Sequence, residues 1–138
     1  MGKETYLEQV MKVTNGSPYY RLLGMEVKEI KKGESRIEMP FKRDLTHPYG
    51  IAHGGAIASL ADSAVAMALI GLVEPKDRFT TIEFKINFFA SVDKGEMKAH
   101  AKIIYKGSKT AVGDVEIVNE EGKLVAKLMA TYSIRKGD

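Results

Sequence analysis

The 138-residue chain has no cysteine, which excludes disulfides, thiolate metal ligands and a cysteine nucleophile. It also lacks an unbroken apolar segment long enough to cross lipid as a helix. The longest run, Ala56–Val73, is interrupted by Ser59, Asp62, Ser63 and Gly71, whereas a spanning helix needs about 20 mostly apolar residues. Met1–Val13 is charged and mixed, so no secretory-signal pattern is read there. A basic stripe with interleaved aromatics is missing too. The formal net charge is only +3 and the lysines are scattered, so nucleic acid is not an expected partner. Repeats, linkers and low-complexity tracts are absent. What is left is a globular chain, 44% hydrophobic and 28% charged, of one-domain length over residues 1–138. Neither nucleic acid nor a membrane is an expected partner, and a cytoplasmic location fits.

The patterning that is present is α then β. Lys3–Val13 has helical spacing, with Tyr6, Val10 and Val13 on one side, and Pro18–Leu23 reads as a short second helix ending at Gly24. Met25–Ile30 and Ser35–Phe41 flank "KKGE" as a hairpin. Gly54–Val73 is too long and too alanine-rich for a strand, and Pro75 forbids its continuation. Thr80–Phe88 then alternates, with Ile82, Phe84, Ile86 and Phe88 on one face. In Met97–Tyr105, the residues Met97, Ala99, Ala101, Ile103 and Tyr105 oppose Lys98, His100 and Lys102. Thr110–Val118 and Leu124–Ile134 form a hairpin around "NEEG". "DKGE" at Asp93–Glu96 and "KGSK" at Lys106–Lys109 are further turns, and connections of hairpin length imply antiparallel pairing. The expectation is an α+β architecture: one long central helix lying in the curve of an antiparallel sheet of about six strands.

The segment "YGIAHGGAIASLADSAVAMAL", Tyr49–Leu69, raises the functional question. It is small and apolar except for Asp62, whose neighbours Leu60, Ala61, Ala64, Val65 and Ala66 offer no polar face. A buried carboxylate without partners is destabilising, so Asp62 is either paired or functional. Before it, Gly54 and Gly55 serve either to turn the chain or to let another group approach the backbone. In the second case the first free N–H groups of the helix form a site for negative charge, such as the oxyanion made when a carbonyl is attacked. Asp62 lies eight residues beyond Gly54, about 12 Å along the same helix. A reacting carbonyl must stand near both donor and base, roughly 3 Å from each. One helix therefore cannot supply both, and if both act the second comes from another subunit.

The stretch "GIAHGGAIASLADSAVAMAL" resembles the HGG-x(5)-A/V-D signature of hot-dog-fold acyl-CoA thioesterases, in the phenylacetate-degradation (PaaI-type) branch. The resemblance extends along most of the chain. It implies a hot-dog fold and hydrolysis of acyl-CoA to CoA and a carboxylic acid, without metal or other cofactor. It also implies a homodimer with two shared sites, often paired again as a dimer of dimers. Carried over, Asp62 matches the catalytic acid, acting as general base on water or as nucleophile. Gly54 matches the residue whose N–H polarises the thioester carbonyl, and His53 the motif histidine that shapes the turn. Thr81 falls where relatives carry a serine or threonine near the acid, and could hold the attacking water. Gly50 matches the glycine three residues before the histidine, and Gly50 and Gly55 are expected beside the substrate. One departure stands out. Relatives usually have asparagine six residues before the motif histidine, where this chain has His47 in "HPYG"; an imidazole differs from an amide in reach and protonation, so His47 is a catalytic candidate that either contacts the carbonyl or water, redirects the chemistry, or only fills the turn. Two other readings are compatible with the fold: an acyl-CoA-binding protein without turnover, and hydration or dehydration of an enoyl thioester, whose motifs are absent.

Overall fold

The computed structural model describes residues 2–138. Helices α1 (Lys3–Asn15) and α2 (Pro18–Leu23) precede a hairpin of β1 (Glu26–Lys31) and β2 (Glu34–Pro40). A single 3-10 turn, Arg43–Leu45, leads to helix α3 (Gly54–Ile70). Strands β3 (Arg78–Phe88), β4 (Glu96–Lys106), β5 (Thr110–Val118) and β6 (Leu124–Arg135) complete the chain. All strand pairs are antiparallel, in the order β1-β2-β4-β5-β6-β3. This is the expected α+β hot-dog architecture, a curved six-stranded sheet packed on one long helix.

Helix α3 is apolar nearly all round because it is the core. Leu60, Ala61, Ala64, Val65, Ala68 and Leu69 are buried against Ile37, Met39, Met97, Ala99, Val115, Ile117 and Leu128 of the sheet. Its close approach depends on small residues. At Gly113 of β5, a Cβ would stand 2.5 Å from Val65 Cγ1, so only glycine lets the helix settle there. Ser35 Oγ donates to Ala64 O at 2.6 Å, tying β2 to the middle of the helix. The helix stops at Ile70 and does not run on to Val73. Leu72 N–H turns back to Leu69 O, and Gly71 packs so tightly on Lys31 O that a Cβ would meet it at 2.5 Å.

Of four register shifts in the sheet, two correct the simple alternation where it matters for the site and the core. In β4 the register slips between Ile103 and Tyr105. Tyr105 then pairs with Val112 and is exposed, so it leaves the core face that Met97, Ala99 and Ala101 occupy. In β3 the register slips between Thr81 and Glu83, with Ile82 as the extra residue. A bulge reverses the facing of everything on one side of it. Phe84, Ile86 and Phe88 pair with the inward-facing Ala130, Leu128 and Ala126, while Thr81 pairs with the inward-facing Tyr132. Strict alternation would have turned Thr81 away from the helix; the bulge turns it toward Asp62.

The chain order also explains why β3 is so exposed. The α3 crossover carries the chain to the far edge of the sheet, where β3 pairs with β6 alone. Its other edge is unpaired among the described residues, and Ile82, Phe84 and Phe88 are exposed there.

Candidate active site

The start of helix α3 is fixed by its own histidine. His53 is the N-cap, with extended backbone (φ −67°, ψ 137°), and its Nδ1 accepts the Gly55 N–H at 2.8 Å. The Ala56 and Ile57 amides both turn back to His53 O, at 3.0 and 3.2 Å. Of the amides in this first turn, that leaves Gly54 N–H without an acceptor among the described residues. A helix start concentrates unpaired donors and positive potential; here both converge on one amide. Gly55 is adjacent, but its N–H is already committed to the cap.

The loop before the helix is pinned at several points. His53 N–H donates to Leu45 O at 2.7 Å, Ala52 N–H to Val92 O at 2.8 Å and His47 N–H to Ile51 O at 3.1 Å. Gly50, at φ +84°, closes the turn with its N–H on His47 O. His47 Nδ1 accepts from Tyr49 N–H at 3.0 Å. Both imidazoles therefore accept through Nδ1, and in their neutral forms carry the proton on Nε2. The two rings are 6.4 Å apart, centre to centre.

Gly54 and His47 line an open cleft of about 400 Å³ together with Ile57, Phe88 and Ser91. Phe88 lies directly on Gly54: a Cβ there would stand 3.1 Å from its Cζ. The cleft thus joins the helix start to the free-edge strand. Asp62 is not part of its lining, which agrees with the two-turn separation along the helix.

Asp62 is half-buried and well partnered. Thr81 Oγ1 donates to its carboxylate, 3.0 Å from Oδ1 and 3.2 Å from Oδ2. Tyr132 Oη lies 2.6 Å from Oδ1 and 2.8 Å from the Asp62 main-chain oxygen. The sequence reading found Thr81 and missed Tyr132, which sits in an alternating core strand and looks like packing. Tyr132 is buried, and burial first, then its bond to Asp62, push its phenol well above the usual tyrosine range. Tyr20 is a second buried neighbour, with no hydrogen-bond partner on its Oη among the described residues. Burial pushes it up to about 12; the nearby Ser63 hydroxyl, outside good hydrogen-bond geometry, offsets part of this, and the Asp62 charge adds to it. The chemistry available is a hydroxyl-anchored carboxylate, and, in a separate cavity of the same chain, a helix-start amide free to hold an oxyanion.

The fold is that of the hot-dog thioesterases. The thioesterase superfamily model matches residues 49–126, and the chain belongs to that family. It is 27% identical to the 1,4-dihydroxy-2-naphthoyl-CoA hydrolase of Listeria monocytogenes, over 83% of this chain and 93% of that protein. It is 26% identical to a medium/long-chain acyl-CoA thioesterase of Escherichia coli, over 85% of each. The solved Escherichia coli PaaI protein, from the phenylacetic acid degradation operon, shares the fold with a TM-score of 0.85. That match is at 23% identity, covering 94% of this chain and 93% of PaaI. No helix among the described residues is long and apolar enough to cross a membrane.

Proposed function

We propose that this chain, acting as one domain, hydrolyses acyl-CoA thioesters in sites shared between two copies. Asp62 of one copy activates water, or attacks directly, and Gly54 N–H of the other holds the developing oxyanion. The supporting observation is the division of labour along α3. The amide left free at the helix start faces one cleft, and the anchored carboxylate stands two turns away, outside it.

The free edge of β3 is where a second copy pairs. It offers an unpaired strand edge with exposed Ile82, Phe84 and Phe88, the kind of edge that recruits another strand. Phe88 belongs both to that strand and to the Gly54 cleft, so pairing there brings a partner chain to the oxyanion station. The HGG-x(5)-A-D spacing of His53–Asp62 favours the phenylacetate-degradation branch; two such pairs assemble as a dimer of dimers. The named CoA-ester relatives support CoA thioesters as the substrate class.

Thiol release across a panel of aryl, short-chain and long-chain acyl-CoAs tests the reading. Wild type releases thiol from at least one of them, and Asp62→Asn releases none while remaining folded. Ligand-induced thermal stabilisation without thiol release would instead favour an acyl-CoA-binding protein.

A further inference from the structure

Tyr132 reaches Asp62 twice, and the two contacts are to different parts of the same residue. Its Oη is 2.6 Å from Oδ1 and 2.8 Å from the main-chain oxygen. The hydroxyl has one proton. A charged carboxylate is the stronger acceptor, and the shorter contact is the one to Oδ1. Thr81 adds its own donor nearer Oδ1 (3.0 Å) than Oδ2 (3.2 Å). The donors therefore crowd onto one oxygen. Oδ1 takes both hydroxyls, and Oδ2 has only the longer Thr81 contact.

We infer that Tyr132 is a positioning residue that gives the two carboxylate oxygens of Asp62 unequal roles: Oδ1 is anchored, and Oδ2 is presented to the reacting thioester. The inference rests on the thioesterase reading for its reaction, but its geometry stands apart from it. Tyr132 can hold Asp62 because it is itself held. It is buried in β6, between β5 and β3, with its ring 6.0 Å from Phe79. Its hydrogen bond to Oδ1, beside that of Thr81, fixes the rotamer of the Asp62 side chain.

The arrangement persists through either chemical route. With Asp62 as base, Oδ2 takes a proton from water, the water oxygen bonds to the carbonyl carbon, and the C–S bond breaks. The proton then passes to the departing thiolate. With Asp62 as nucleophile, Oδ2 bonds to the carbonyl carbon as the C–S bond breaks, and water later cleaves the mixed anhydride. In both, Oδ1 remains an acceptor throughout, so the Tyr132 hydrogen bond need not break or swing. An anchor on Oδ2 would have to be surrendered at the moment of reaction.

Tyr132→Phe removes one oxygen and keeps the ring. For the acyl-CoA that wild type turns over, its kcat should fall about 10- to 100-fold, the range expected for a misaligned reacting group. KM should stay within about twofold, because substrate binding is not touched. An unchanged kcat, or a loss confined to KM, overturns the inference. A second readout does not depend on activity. The 13C carboxyl resonance that disappears in Asp62→Asn should move in Tyr132→Phe at fixed pH; an unmoved resonance overturns the anchoring whatever the kinetics. If the Phe variant does not fold, wild type and Asp62→Ala decide. A slowly exchanging hydroxyl proton should be present and vanish in Asp62→Ala; its absence rejects the anchor. A wild type with no thioesterase activity would sink the proposed function while leaving these spectroscopic results to judge Tyr132.

Discussion

His53 Nδ1 accepts the Gly55 amide at 2.8 Å, and that bond determines which amide of the helix start is free. The motif histidine therefore acts on the site through a cap. Removing an N-cap acceptor destabilises by about 0.5–2 kcal/mol, typically about 1. His53→Ala should lose that much in urea unfolding, and His53→Asn should recover most of it. In Gly55→Ala the Cβ would stand 3.0 Å from Nδ1 and strain the cap, but alanine's helix preference of about 1 kcal/mol offsets this, so its net loss should be smaller than that of His53→Ala.

Gly54→Ala separates stability from activity. Alanine is favoured over glycine within a helix by about 1 kcal/mol, which offsets the contact with Phe88 at 3.1 Å. The melting temperature should change little. Activity should fall, because the methyl group and the displaced ring both narrow the cleft beside the free amide. Phe88→Leu in the Gly54→Ala background should restore part of the rate; no recovery would mean that crowding by Phe88 is not the cause.

The two buried phenols near Asp62 predict alkaline weakness. Both are raised in the folded state, Tyr20 to about 12 and Tyr132 further, from an ordinary value of 10.0. The folded chain thus keeps protons that the unfolded chain releases. This stabilisation is complete below about pH 10 and lost above it, at about 1.4 kcal/mol per pH unit for each group. For Tyr20 the loss runs from pH 10.0 to about 12. Urea unfolding between neutral pH and pH 11 should show this slope, and Tyr20→Phe or Tyr132→Phe should each lessen it. At neutral pH the two variants should diverge. Tyr132→Phe loses a satisfied hydrogen bond and is destabilised, whereas Tyr20→Phe removes an unpartnered buried hydroxyl and is neutral or stabilising.

Arg78 and Arg135 are direct cross-strand partners on β3 and β6, and no carboxylate lies within salt-bridge distance of either among the described residues. Like charges directly opposite are destabilising, in the range of about 0.2–1 kcal/mol. Arg135→Gln should therefore raise stability slightly at low salt, and added salt should erase the difference. A loss of stability would show that the pair has a partner or role beyond these contacts.

Much of this architecture is legible in the residues. Glycine-containing turns mark the β1–β2, β4–β5 and β5–β6 hairpins, but the same signal in "DKGE" joins β3 to β4, which do not pair because β3 lies beyond β6; alanine marks the buried helix, and the eight-residue spacing of Gly54 and Asp62 already separates the two stations. What escapes is whatever depends on register between distant strands. The bulge at Ile82 reverses the facing of Thr81, and the bulge at Ile104 turns Tyr105 out of the core; neither has a local signal such as glycine at the bulge. The position of β3 at the far edge follows from the crossover and not from its own sequence, although a strand as long as Thr80–Phe88 with one apolar face already suits a junction between two sheets. Tyr132, 70 residues from Asp62, reads as one more inward residue of an alternating strand. Only the packing of β6 on α3 brings its hydroxyl to the acid.

Sharing of one site between two chains is tested most directly by mixing two inactive variants. Gly54→Pro deletes the free amide at a position where proline suits a helix start, and the extended backbone of His53 accommodates a following proline. Asp62→Asn deletes the base. Each variant alone should be inactive. After co-refolding in equal amounts, half the dimers are mixed, and each mixed dimer holds one intact site out of two, so about one quarter of wild-type thiol release should return. Recovery near that level is the predicted result; a mixture as inactive as its components, with mixed dimers demonstrated, would contradict the shared site.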